Sequence, residues 1–200
     1  MEELDKLYPD AKGELDHKND FELLVAVVLS AQTTDAQVNV VTKDLFNEYP
    51  TPLKLSKANI TDVENIINRI GLFRTKAKNI VNLSKILVEK HNGLVPSNRK
   101  DLEALPGVGR KTANVVLSIA FDIPQIAVDT HVARVSKRLG LVNENDSVLV
   151  IERKLKELFP KERWTKLHHQ LILFGRYICT ARNPKTELCP FKSFCKCHKL

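Results

Sequence analysis

Long apolar runs are missing from this 200-residue chain. None approaches the roughly 18 residues needed to cross a bilayer, which excludes a membrane-spanning helix. The opening MEELDKLYPD is acidic and has no hydrophobic signal region, so a cytoplasmic location is expected. Cysteine is absent before Cys179, and the four present, Cys179, Cys189, Cys195 and Cys197, crowd the end of the chain. A disulfide framework spread through a secreted domain is thereby excluded, and cysteines clustered in a reducing compartment suggest a metal. No pair of alternating apolar segments flanks a turn, no internal repeat occurs, and no Ser/Gly linker marks a domain boundary. With 43% hydrophobic and 28% charged residues the composition is that of an ordinary soluble globular protein rather than a disordered one.

Basic residues exceed acidic ones, 31 against 24, giving a net charge of +7. An anionic partner is consistent with that balance, and nucleic acid leads. Many basic proteins bind none, so the distribution of charge must decide.

Apolar residues recur at helical spacing along most of the chain: Thr112, Val115, Val116 and Ile119; Val148, Ile151, Leu155 and Leu158; Leu167, Leu171, Phe174 and Ile178. These faces are expected to be core. Thr34 to Gln37 and Thr61 to Glu64 read as capping boxes, and Asp20 as the cap of a buried helix over Leu23 to Leu29. Gly and Pro fall where such helices should stop, at Pro50, Gly71, Gly93, Pro106-Gly107, Pro124 and Gly140. The expectation is an all-α protein of at least eight helices.

The segment Leu105-Pro-Gly-Val-Gly-Arg-Lys-Thr-Ala113 lies between two helical patterns and reads as a helix-hairpin-helix. Gly107 and Gly109 let the backbone take positive φ and approach a ligand with no Cβ between. The amides around Val108 and the first turn of the next helix, with the helix dipole behind them, form a cradle for a phosphate oxygen. A plain tight connection is the alternative. Arg110 and Lys111 favour the phosphate, since cations beside a helix N-terminus are unfavourable without an anion near. Such a contact gives affinity without sequence specificity.

Lys111 stands where the dipole, the neighbouring Arg110 and partial burial would all disfavour its charge, which makes it a usable amine nucleophile. A solvated or phosphate-binding lysine is the other reading. Further on, Asp129 precedes the helical pattern Val132 to Leu139 as its natural N-cap. A capped carboxylate facing a cleft can also stabilise a developing sugar cation or take a proton from the lysine. Spacing alone does not bring the two together.

Leu105 to Asn114 followed by Val128-Asp-Thr-His-Val-Ala-Arg134 resembles the endonuclease III family of the helix-hairpin-helix glycosylases. Leu29-Ser-Ala-Gln-Thr-Thr-Asp35, Ile70-Gly-Leu-Phe-Arg-Thr-Lys-Ala77 and His168 to Arg176 resemble the same family in order and spacing, so that the likeness spans nearly the whole chain.

The resemblance implies two helical domains with a DNA-binding cleft between them. A six-helix domain over residues 13–123 would carry the helix-hairpin-helix, and residues 1–12 with 124–200 would form the second. It implies a bifunctional DNA glycosylase and abasic-site lyase acting, as a monomer, on oxidised pyrimidines in damaged double-stranded DNA. Lys111 would be the nucleophile and Asp129 its carboxylate. The target nucleotide must leave the stack to be reached. Gln32 and Leu72 would fill the gap it leaves, an amide facing the orphaned base and an apolar wedge replacing lost stacking. Gly107, Val108, Gly109, Arg110 and Thr112 would contact DNA, and Asp35 and His131 would support the site.

The family ends in Cys-x6-Cys-x2-Cys-x5-Cys, four thiolates around a structural 4Fe–4S cluster. Here the spacing is Cys179-x9-Cys189-x5-Cys195-x1-Cys197, which puts Thr186 at one ligand position. A hydroxyl is a poor substitute for a soft thiolate. The loop is left open between a cluster completed by Cys197, an incomplete one, zinc and no metal, and the chemistry itself requires no cofactor. Two other functions stay in view: a helix-hairpin-helix module that only binds DNA, and an adenine-removing glycosylase, a group that generally lacks a lysine at position 111.

Overall fold

Helix starts in this chain are set by short polar side chains. Asn19 accepts a hydrogen bond from the amide of Glu22, Thr34 from Gln37, Asn59 from Thr61, Asn98 from Asp101, Asp129 from Val132 and Ser147 from Val150. Each satisfies an amide that a first turn leaves over, worth about 1 kcal/mol relative to alanine. Two starts differ from expectation. Asn19 rather than Asp20 caps the first buried helix, and Asn59 rather than Thr61 caps the helix beginning at Ile60. In both, an asparagine lies just ahead of the residue expected to cap, and its side chain reaches the amide first.

The computed structural model describes residues 1–193 and Cys195. Among the described residues every regular element is helical: α1 (Glu2–Leu7), α2 (Asp20–Leu29), α3 (Asp35–Glu48), α4 (Pro52–Ser56), α5 (Ile60–Ile67), α6 (Phe73–His91), α7 (Arg99–Glu103), α8 (Arg110–Ala120), α9 (Thr130–Arg138), α10 (Val148–Leu158) and α11 (Trp164–Tyr177). The chain divides into two compact units, Glu14–Ile123 and Met1–Gly13 with Pro124–Leu200.

The Glu14–Ile123 unit is built around α2, in which every residue from Phe21 to Leu29 is buried. A helix apolar on all sides belongs at the centre of a bundle, and α3, α6 and α8 pack on it. Leu24, Val25, Leu45, Ile67, Ile80, Leu102 and Val116 share its core. Each such side chain contributes about 1.5–3 kcal/mol on burial. The unit carries α2 to α8, one helix more than the six expected, because Thr51 and Asn98 cap the short helices α4 and α7. On α8 the inward stripe is Ala113, Val116 and Leu117, while Thr112, Val115 and Ile119 are only half-buried. The stripe turns toward Asn114, a buried amide that accepts a hydrogen bond from Arg99 at 2.6 Å.

The other unit packs α9 and α11 around Ile126, Val132, Val135, Leu167, Leu171 and Phe174. Gly175 permits their close approach: a Cβ there would lie 3.0 Å from the Cβ of His131 and 3.1 Å from Val135. On α10 only Ile151 and Leu155 of the four expected core positions are buried. Val148 and Leu158 are its end residues and face solvent. The short α1 belongs here despite its distance in sequence, since Asp5 accepts hydrogen bonds from Arg163 and from Gln170 of α11. No helix among the described residues is long and apolar enough to cross a membrane.

Candidate active site and helix-hairpin-helix

Between α7 and α8 the chain turns through Leu105 to Gly109, and the amide of Val108 closes the turn on the carbonyl of Leu105 at 3.1 Å. The two glycines have different duties. Gly107 has φ +80°, and a Cβ on it would lie 2.9 Å from Asn79 Nδ2 and 3.0 Å from Val28 Cγ1. It is required both by the left-handed backbone and by packing against α2 and α6. Gly109 is extended, with φ −97°, so the expectation of positive φ at both glycines holds only for the first. A Cβ on Gly109 would meet nothing within 4 Å. Neither backbone strain nor internal packing demands glycine there, which leaves room for something outside the chain.

Gly109 is the N-cap residue of α8 and has no side chain with which to cap. Arg110 and Lys111 occupy the first turn, both exposed, with Thr112 half-buried behind them. The partial burial expected for Lys111 is absent. Val108, expected as a contact residue, has its side chain in the core and its amide bonded to the Leu105 carbonyl.

In the other unit, Asp129 is the N-cap of α9 and accepts a hydrogen bond from the amide of Val132 at 2.8 Å. It is half-buried. His131, two residues along, has Nδ1 3.1 Å from Arg134 Nη2. Arg134 also donates to the carbonyls of Gly175 and Cys179, at 2.8 and 3.1 Å, so α9 is held by its guanidinium to the end of α11. Burial pushes the Arg134 guanidinium below its ordinary pKa.

Gln32 and Leu72 both lie in the Glu14–Ile123 unit, and both are exposed. Gln32 is in the turn between α2 and α3. Leu72 is the N-cap residue of α6, with 60% of its surface open to solvent. Asp35 is the first residue of α3, where capping falls to Thr34 instead. One residue passed over in the sequence reading is Lys76. It is buried and donates to Thr33 Oγ1 at 2.8 Å. Its signal was its register, since Lys76 shares the inward stripe of α6 with Ala77, Ile80 and Leu83.

Cys179 and Cys195 are buried in the core of their unit and Cys189 packs against it; Cys197 lies outside the described residues. Thr186 opens a short 3₁₀ turn, Thr186–Leu188, and its amide bonds to the carbonyl of Pro184. Arg138 donates to Cys179 Sγ at 3.4 Å and to the carbonyl of Thr180 at 2.6 Å. Among the described residues no group of three or more His, Cys, Asp or Glu side chains could hold a metal ion.

Residues 25–161 match the family model of the helix-hairpin-helix GPD superfamily of base-excision DNA repair proteins, well over half of the chain. Endonuclease III of Bacillus subtilis is 52% identical over 98% of this chain and 90% of its own length. Endonuclease III of Escherichia coli K12 is 46% identical over 94% of this chain and 89% of its own. A solved structure of a trapped endonuclease III–DNA covalent intermediate superposes with a TM-score of 0.96 at 54% identity, covering 99% of this chain and 93% of that one. The chain belongs to the endonuclease III family.

Proposed function

We propose that this protein excises oxidised pyrimidines from duplex DNA through an imine on Lys111 and then cuts the strand 3′ of the abasic site. Membership of the family makes the chain a bifunctional base-excision-repair enzyme, a DNA N-glycosylase and abasic-site lyase. The observation that carries the residue-level reading is the hairpin. It offers an uncapped helix start, an open Gly109 and an exposed primary amine within one turn.

In the proposed reaction the damaged nucleotide swings out of the stack. The hairpin amides and Arg110 bind a backbone phosphate and set the register of the strand. The Lys111 Nζ lone pair attacks the sugar C1′, the C1′–N bond breaks, and its electron pair leaves with the base. Opening of the sugar ring gives the imine. Loss of a proton from C2′ then expels the 3′ phosphate and cuts the strand. Asp129 serves as the carboxylate that takes the lysine proton and faces positive charge on the sugar.

Contact with DNA supplies the desolvation that the exposed Lys111 lacks in the free protein. Gln32 and Leu72 fill the vacated space, and His131 with Asp35 supports the site. The enzyme acts as a monomer in the cytoplasm. This chemistry runs on an amine and a carboxylate, and no step passes through the cysteine loop.

Borohydride reduction tests the reading. Wild-type protein mixed with duplex DNA carrying an oxidised pyrimidine forms a covalent adduct on reduction, and Lys111→Ala forms none while still binding the DNA. Binding by the wild type without adduct or strand cleavage would establish a binding module instead.

A further inference from the structure

Lys76 is only 4% exposed, and its one side-chain hydrogen bond among the described residues goes to Thr33 Oγ1, at 2.8 Å. No carboxylate among the described residues forms an ion pair with it. Burying a lysine stem is ordinary, but burying its ammonium against a single neutral hydroxyl is costly. The burial also lowers its pKa from the ordinary lysine value. Methionine or leucine would fill that register of α6 without the cost, so the ammonium calls for another explanation.

Its two ends give one. The backbone amide of Lys76 donates to the carbonyl of Leu72 at 3.0 Å, closing the first turn of α6. The side chain of the same residue reaches the hydroxyl of Thr33, the immediate neighbour of Gln32. One residue is thus bonded to both exposed segments assigned to the vacated space. Both segments carry left-handed backbone at a residue other than glycine, with φ 55° at Gln32 and φ 59° at Leu72. Left-handed backbone at a non-glycine residue is costly and persists only where its surroundings hold it.

We propose that Lys76 is a positioning residue that locks the Gln32 turn to the start of α6, so that Gln32 and Leu72 enter the duplex as one rigid pair. The proposal rests on the reading of those two residues as gap fillers. A flexible pair would lose ordering entropy at the moment of insertion, whereas a pre-set pair has lost it on folding.

The test is a mutant cycle of Lys76→Met, Thr33→Val and the double variant. Steady-state cleavage is followed on a duplex with an oxidised pyrimidine opposite 2-aminopurine, whose fluorescence reports unstacking. A single-stranded abasic oligonucleotide, which has no gap to fill, supplies a second substrate. Each single variant lowers duplex kcat/KM about tenfold, as expected for loss of a charge-assisted hydrogen bond, and the double variant falls no further because the pair acts as a unit. The fluorescence rise falls with it, and single-strand cleavage stays within about twofold of wild type, a change at the level of unrelated surface substitutions.

Thr33→Ser, which retains the acceptor oxygen, recovers the rate that Thr33→Val loses. It keeps the test sharp should the buried methionine impair folding. Multiplicative losses in the double variant, or equal losses on single-stranded DNA, would overturn the proposal. Gln32→Ala and Leu72→Ala separate its failure from that of the reading beneath it. If these lose duplex activity while Lys76→Met and Thr33→Val do not, only the positioning role fails. If they do not lose it, the gap-filling reading fails and takes the positioning role with it.

Discussion

Gln32 and Leu72, 40 residues apart in sequence, share one backbone conformation, left-handed at φ 55° and φ 59°. Leucine is poorly suited to that region, and this one is 60% exposed, so it recovers little by packing. Leu72→Gly should therefore raise stability by about 1 kcal/mol, since glycine takes positive φ without a Cβ clash. The same change removes the proposed apolar wedge and should lower glycosylase activity on duplex DNA. Thermal unfolding and cleavage rates on one preparation check the two opposite movements.

The glycines of the hairpin separate in the same way. Gly107→Ala forces a Cβ to within 2.9 Å of Asn79 and into left-handed backbone, so it should destabilise the protein by about 1–3 kcal/mol. Gly109→Ala adds its methyl to open space on extended backbone and should leave stability within about 0.5 kcal/mol. Its effect should fall on affinity for duplex DNA, because the methyl occupies the ground a phosphate would approach. Urea unfolding and a binding isotherm at fixed salt distinguish the two.

Much of this was legible in the sequence, and what was not has particular causes. Asp129 as a cap was readable because capping is a local rule of residue type and spacing. The caps at Asn19 and Asn59 were missed because two polar residues competed and backbone geometry chose between them. Val148 and Leu158 fit the helical period but are the ends of α10, and periodicity does not show where a helix stops having neighbours. The register of Lys76 was visible in the sequence, yet the hydroxyl that receives it comes from a residue 43 positions away in the chain. The left-handed backbone of Leu72 has no local signature, since leucine is not a residue that seeks it.

Acid should loosen the attachment of α1. Hydrogen bonds from Arg163 first, then Gln170 and Lys166, hold the Asp5 carboxyl well below the usual carboxylate range. A carboxylate whose folded pKa is depressed stabilises the fold fully above its unfolded pKa, and that contribution fades as pH falls toward the folded value. Asp5→Asn should therefore lower Tm at neutral pH and converge on the wild type as pH drops below about 4, near the aspartate reference value. A constant difference across that range would show that charge is not what anchors the helix.

Asp129 caps α9, and the catalytic duty proposed for it can be parted from that cap by one pair of substitutions. As a cap it accepts the Val132 amide at 2.8 Å, a task asparagine performs about as well as aspartate. In the proposed reaction it would carry charge and take a proton, which asparagine does not do. Asp129→Asn should keep the Tm of wild type and lose turnover by about 10²-fold or more, the usual contribution of a general base. Asp129→Ala should lose turnover to a similar degree and about 1 kcal/mol of stability besides, through the uncapped start of α9. Equal losses of stability in both variants, with turnover intact in the asparagine form, would reduce Asp129 to a helix cap and require another carboxylate for the chemistry at Lys111.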